Sequence, residues 1–306
     1  MSLLVDIRKD LGNFKLSVCF DTDAAVTGLL GLSGSGKSVT LRCIAGIMTP
    51  DSGKIILDGV TLFDSEKRIC LPPRRRRVGY LFQEYALFPH MTVRQNIQVC
   101  TGENARELLE QFHLTDVADK KPDAISGGQR QRTALARILA SRPKAILLDE
   151  PFSALDESLR RELEPEVHRH LHTFGGRVLW VSHERGEIYR SCDAVCTLSP
   201  GVSGRLTTPE QLFRAPVTVA EARLAGFENL IPCPDGFLAV RARDILPHPE
   251  GMPCRVLRAV EDVDVFRLLL QPENAGTPLH MTAEKSAWKS TDTLRVKMEN
   301  ARPVQA

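Results

Sequence analysis

One stretch constrains this chain more than any other: Gly31, Leu32, Ser33, Gly34, Ser35, Gly36, Lys37 and Ser38 fit the pattern G-x-x-x-x-G-K-[ST]. The stretch follows an apolar run, Ala25 to Leu30, and precedes a helical pattern from Ser38 to Ile47. A strand, a glycine loop and a helix are the context in which this spacing has physical meaning. Gly34 and Gly36 let the backbone curl until successive N–H groups face inward, forming an anion nest that the positive end of the next helix continues. Lys37 then stands where it can meet the β- and γ-phosphates of a nucleotide, and the Ser38 hydroxyl where it can ligate Mg²⁺.

Around this loop the chain reads as α/β up to about residue 205. Ala145 to Leu148 and Val178 to Val181 are further short apolar runs separated by helical patterns, which predicts a largely parallel sheet. Between Gln83 and Ser126 the pattern turns helical, with Leu108, Leu109 and Phe112 on one face, so a helical insertion is expected over about 84–125. Residues 206–226 read as a connector. From 227 to 306 short strand-like runs (Phe237 to Val240, Arg255 to Val260, Val265 to Leu270, Leu294 to Met298) are broken by Pro and Gly, which predicts a small all-β domain.

Composition narrows the setting. Forty Lys and Arg against 38 Asp and Glu leave a formal charge of +2, without the basic excess of a nucleic-acid binder. No run of about 18 apolar residues is present, and Asp6 and Asp10 fall where a signal peptide needs an apolar core, so the expectation is a chain that neither spans a membrane nor is secreted.

Ala145-Ile-Leu-Leu-Asp149-Glu150 is an apolar strand ending in two carboxylates. Asp149 is suited to hold Mg²⁺ through its water shell and Glu150 to polarise an attacking water. Ile125, Ser126, Gly127, Gly128 and Gln129, followed by Arg130-Gln131-Arg132 and a helix-forming run, resemble the signature motif of ABC ATPases, which implies a second anion site at a helix N-terminus. Together with Leu81-Phe82-Gln83-Glu84, Ser153-Ala154-Leu155-Asp156 and Val181-Ser182-His183, these stretches resemble the ordered motifs of ABC transporter ATPases. The resemblance implies that Gln83 reaches the Mg²⁺ and the attacking water, that His183 contacts the γ-phosphate, and that Asp156 lies at a dimer seam. It implies a head-to-tail homodimer with two ATP molecules between the signature of one subunit, Ser126 to Gln129, and the phosphate loop of the other. Two departures accompany it: Val39 follows Ser38 where Thr is more usual, and Phe14 is the candidate adenine-stacking residue in place of a Tyr.

Tyr85 to Val93 sets apolar residues just beyond Gln83, and the stretch from Leu71 to Gln83 resembles the importer branch of the family. That likeness implies integral-membrane permease partners, an extracytoplasmic solute-binding protein behind them, and a peripheral place on the cytoplasmic face of the membrane. Gly236 to Ile245 is similar to the opening of the TOBE/MOP-like β-barrel of these ATPases. Leu62 to Lys67, Asn229 to Ile231 and Arg241 to Asp244 look most like importers of molybdate or a related oxyanion, tungstate or sulfate. Polyamine or ferric-iron import, and a soluble ABC ATPase without a membrane partner, are the alternatives.

Three features read as ordinary. Arg74 to Arg77 lack interleaved aromatics and are expected on a solvated face. His168, His170 and His172 are expected on an exposed helix. The eight cysteines lack zinc-site spacing and are expected to be reduced and mostly buried.

Overall fold

The computed structural model describes residues 2–101, 105–153, 157–273, 276–285 and 292–305. Contacts divide the chain into two compact units, Met1–Pro209 and Glu210–Ala306.

The first unit opens with β1 (Leu3–Asp10), β2 (Lys15–Thr22) and β3 (Val26–Gly31), followed by α1 (Lys37–Ala45), β4 (Ser52–Leu57), β5 (Val60–Asp64), β6 (Ile69–Cys70), α2 (Pro73–Arg76) and β7 (Val78–Leu81). The helical stretch holds α3 (Val93–Thr101), α4 (Arg106–Gln111) and α5 (Gly127–Ala140), with single 3-10 turns at Thr115–Val117 and Pro122–Ala124. The unit closes with β8 (Ala145–Asp149), α6 (Glu157–Thr173), β9 (Arg177–Ser182), α7 (Arg185–Ser191), β10 (Ala194–Ser199) and β11 (Val202–Thr207).

All eleven strands form one sheet in the order β6-β5-β4-β1-β2-β11-β10-β3-β9-β8-β7. It is mixed rather than largely parallel. From β10 to β7 the strands run parallel, whereas β6, β5, β4, β1 and β2 are antiparallel neighbours. The two halves differ as their coverings do. In the parallel half α1 packs on β3, β7 and β8, and α7 on β3 and β9; β3 and β8 are buried along their whole length. In the antiparallel half burial alternates: Leu16, Val18 and Phe20 of β2 point into the core and their neighbours out to water.

This topology brings the functional loops together. Register sets Leu30 beside Ser182 and Asp149 beside Val181, so β3, β8 and β9 end side by side at one edge of the sheet. Loops at the carboxyl ends of parallel strands are where α/β sheets bind ligands.

One arginine departs from the expected solvated face. Pro72 and Pro73 start the one-turn helix α2, which turns Arg76 inward until only 2% of it is exposed. Its guanidinium donates to the carbonyls of Cys43 and Ile44 at the C-terminus of α1 and to that of Leu71. A cation at the negative end of a helix dipole, with carbonyl acceptors in place, is a satisfied buried charge. The cysteines are also more divided than expected: Cys43, Cys192, Cys196 and Cys254 are buried, but Cys19, Cys70 and Cys100 are exposed. Burial pushes the Cys43 thiol up to about 11 and that of Cys196 to about 12, which makes both inert.

The second unit begins with α8 (Pro209–Arg214) and α9 (Val219–Ala225), and continues through β12 (Asn229–Cys233), β13 (Gly236–Val240), β14 (Ile245–Glu261), β15 (Val265–Pro272), β16 (Leu279–Glu284), β17 (Thr293–Met298) and β18 (Arg302–Val304). The strands form two antiparallel sheets, β12-β13-β18 and β16-β15-β14-β17, over one core of Val240, Ile245, Leu268, Leu270, Met281 and Val296. Residues from Glu210 onward do not stand apart as a connector. Arg241 donates to the Phe213 carbonyl and lies over the Phe227 ring, and Val219 and Gln305 exchange backbone bonds with their neighbours, so both helices pack within this unit.

Candidate nucleotide site

The phosphate loop leaves β3 at Gly31 and enters α1 at Lys37. Gly36 caps α1 in the left-handed region at φ 103°, and Gly34 is left-handed at φ 78°; both conformations are open to glycine at no steric cost. A Cβ on Gly36 would lie 2.6 Å from Leu16 Cδ1 and 3.0 Å from Phe14 Cζ, so a side chain there would also have to displace its neighbours. Leu32, Ser33 and Gly34 form the exposed tip. Ser35 is buried, and its hydroxyl is without a hydrogen-bond partner. No side chain caps α1. Val39 is half-buried against the core, and Thr40 behind it bonds the Gly36 carbonyl, 3.0 Å.

Lys37 is 5% exposed. Its ammonium donates to the carbonyls of Gly31 (2.8 Å) and Leu32 (2.9 Å) and lies 3.8 Å from Glu150 Oε1. Burial lowers its pKa, and the charges of Glu150 and Asp149 oppose that shift. The next residue, Ser38, donates its hydroxyl to Asp149 Oδ1 at 2.8 Å. Tyr80 of β7 donates to Asp149 Oδ2, also at 2.8 Å, and burial followed by the Asp149 charge raises the Tyr80 phenol. Sequence reasoning passed over Tyr80; its signal was a tyrosine three residues ahead of Gln83. The pairing fixes both carboxylate oxygens.

Glu150 follows Asp149 with a left-handed backbone, φ 48°, unusual for a non-glycine residue. Its N–H bonds the Val181 carbonyl, and its own carbonyl accepts from Ser153 N (3.1 Å) and Oγ (2.9 Å), so the turn is held from both sides. His183 Nδ1 lies 3.3 Å from Glu150 Oε1. One carboxylate oxygen thus sits between the Lys37 ammonium and the His183 imidazole.

Gln83 is exposed and lines a cavity of about 600 Å³ with Ser38, Arg42, Tyr85, Arg130 and Asp149. Phe14 is half-buried against the core, its ring edge beside Gly36. Ser126 caps α5 in a reciprocal box: Gln129 N donates to Ser126 Oγ (3.2 Å) and Ser126 N to Gln129 Oε1 (2.9 Å). Gly127 and Gly128 form the first turn behind it. Among the described residues no hydrogen bond or ion pair joins Ser126–Gln129 to the phosphate loop. Asp156 lies outside the described residues.

The donor set fits Mg²⁺, which takes hard oxygen ligands and few of them from protein; Ser38 Oγ and Asp149 are such a pair. The orphan Ser35 hydroxyl inside the loop fits a phosphate acceptor. Among the described residues no cluster of three His, Cys, Asp or Glu is spaced to hold a metal, and the α6 histidines are used otherwise: His168 and His172 face each other, Nε2 to Nε2 2.9 Å, and His170 stacks on Phe112.

The ABC transporter family model matches residues 15–153. The spermidine/putrescine import ATP-binding protein PotA of Oleidesulfovibrio alaskensis is 36% identical over 267 residues, 83% of this chain and 69% of its own. The chain belongs to the ABC transporter ATPase family. A molybdenum import ATP-binding protein, ModC of Rhodospirillum rubrum, is 33% identical over 287 residues, 85% of this ABC ATPase and 76% of its own length. The dimeric structure of a bacterial ABC transporter cassette superposes with a TM-score of 0.57 at 26% identity, covering 68% of this chain and 99% of that one. Membership makes the chain an ATP hydrolase, with the phosphate loop, Asp149 and Glu150 gathered at one edge of its sheet. Among the described residues no helix is long and apolar enough to cross a membrane.

Proposed function

We propose that this ABC ATPase energises an importer, hydrolysing ATP between two copies of itself at the cytoplasmic face of a membrane and driving permease subunits there. One observation carries the reading: Glu150 Oε1 lies within 3.8 Å of Lys37 Nζ and 3.3 Å of His183 Nδ1, at the mouth of the phosphate loop. In this reading the β- and γ-phosphates occupy the nest of Gly31 to Lys37, with Lys37 turning from the Gly31 and Leu32 carbonyls to them. Ser38 and Asp149 hold Mg²⁺, which supplies charge neutralisation of the phosphates. Glu150 orients and polarises the attacking water, and Gln83, across the cavity from Ser38, orients it from the other side. His183 steadies the γ-phosphate. Phe14, beside Gly36, stacks on the adenine. Ser126, Gly127, Gly128 and Gln129 face the phosphates of the partner copy, and Asp156 lines the seam. The small all-β unit serves as a TOBE/MOP-like accessory domain.

The apolar residues beyond Gln83 support a permease contact, with Phe88 40% exposed on a surface loop. For the cargo, we read molybdate or a related oxyanion from Asn229 to Ile231 and Arg241 to Asp244, and relatives named as molybdenum import proteins support that class. The relatives named for spermidine and putrescine import, up to 36% identical, favour polyamine as the second reading. Uptake by cells lacking this chain, measured for radiolabelled molybdate and for spermidine with their cognate receptors present, separates them. Loss of molybdate uptake alone supports the first, loss of spermidine uptake alone the second, and loss of neither removes both.

A further inference from the structure

The segment after Gln83 is held in an unusual backbone. Tyr85 and Ala86 are consecutive non-glycine residues in the left-handed region, φ 61° and 45°. Each such residue costs on the order of 1 kcal/mol, so the pair persists only if its surroundings hold it. Local bonds contribute two turns, Tyr85 N to Phe82 O (2.8 Å) and Ala86 N to Glu84 O (2.7 Å). The decisive holder comes from α5. Arg137 Nη2 donates to the Tyr85 carbonyl at 3.0 Å and Nη1 to the Ala86 carbonyl at 2.8 Å, and the guanidinium carbon stands 5.3 Å above the Phe88 ring. One planar fork thus binds the carbonyls of both strained residues, which a point charge cannot do. From beneath, the buried Tyr85 ring sends its hydroxyl to the Pro151 carbonyl (3.5 Å), which also accepts from Gln131 Nε2 of α5 (3.1 Å). Pro151 adjoins Glu150.

We propose that Arg137 is a positioning residue of the ATPase: it clamps Tyr85 and Ala86 in the left-handed turn and so sets where Gln83 stands over Ser38 and Asp149. It touches neither nucleotide nor water. Its other consequence is coupling, because the same helix carries Ser126 at its N-terminus, and a displacement of α5 is delivered to Gln83 through two hydrogen bonds.

The inference rests on Gln83 facing the nucleotide, and its test separates the two. In full-length protein with Mg-ATP, single-turnover hydrolysis is measured for Gln83→Ala, Arg137→Met, Arg137→Lys, and Arg137→Met combined with Ala86→Gly. Gln83→Ala is expected to slow hydrolysis about tenfold; unchanged hydrolysis there removes the reading of Gln83. Arg137→Met is expected to slow hydrolysis by a similar factor while the KM for ATP stays within about twofold, because the loss concerns water and not nucleotide binding. Arg137→Lys reaches one carbonyl and recovers part of the rate. The deciding variant is Ala86→Gly, which removes one of the two conformational costs: in the Arg137→Met background it restores hydrolysis at least threefold. Hydrolysis at the native rate in Arg137→Met, or no recovery on adding Ala86→Gly, overturns the proposal.

Discussion

Two helices of this ABC ATPase begin at glycine-rich sequences, and they begin differently. At the start of α1, Gly36 is left-handed and no side chain caps the helix. At the start of α5, Ser126 is extended and closes a full capping box with Gln129. The first helix start has no side-chain partner; at the second, the box engages the N–H groups of Ser126 and Gln129. An uncapped N-terminus beside the buried, carbonyl-bound Lys37 has the donors to suit a phosphate, whereas the start of α5 already has two of its donors engaged. Nucleotide is therefore expected to be gripped first by the phosphate loop and to meet α5 afterwards, on the partner copy.

The largest effects test that contrast directly. Lys37→Ala is expected to lower ATP affinity and hydrolysis about a hundredfold or more, read by nucleotide fluorescence and phosphate release. Ser126→Ala is expected to leave ATP binding by the single chain within about twofold while cutting dimer hydrolysis about tenfold. Equal losses of binding in the two variants would break the contrast. Glu150→Gln is expected to retain ATP affinity, lose hydrolysis about a hundredfold and accumulate an ATP-bound dimer on size-exclusion chromatography. A monomer at saturating ATP contradicts the sandwich.

Smaller effects concern how each helix is held. Arg76→Met removes the side-chain donor to the Ile44 and Leu71 carbonyls and leaves Cys43 only the Gly46 N–H, and a loss of about 3 kcal/mol is expected in denaturant unfolding of the full chain. Gln129→Ala opens one side of the box on α5 and is expected to cost about 1 kcal/mol. If Gln129→Ala costs nothing measurable, the box does not hold the start of α5.

What the sequence made legible follows from how local each feature is. The phosphate loop could be read residue by residue because its backbone demands glycine at fixed positions, and β3, β8 and β9 because strands covered on both faces are unbroken apolar runs. The antiparallel half was misjudged although its signal was present: Leu16, Val18 and Phe20 alternate with polar residues, but the stronger βα rhythm downstream set the expectation for the whole sheet. Arg76 was illegible for another reason. Four arginines in a row differ only in the direction the chain gives them, and that direction depends on where the C-terminus of α1 lies in space. Tyr80, Arg137 and the Pro151 carbonyl belong to the same class, since they meet Asp149, Ala86 and Tyr85 respectively, each more than 50 positions away in sequence.

The boundary at Pro209 has a consequence for the history of such chains. Every strand of the eleven-stranded sheet is complete by Thr207, and each sheet of the later unit is built only from residues beyond the boundary. The later unit can therefore be exchanged, duplicated or discarded by a single recombination event without altering the register of any strand around the nucleotide. Hydrolysis and the role of the later unit are free to diversify at separate rates.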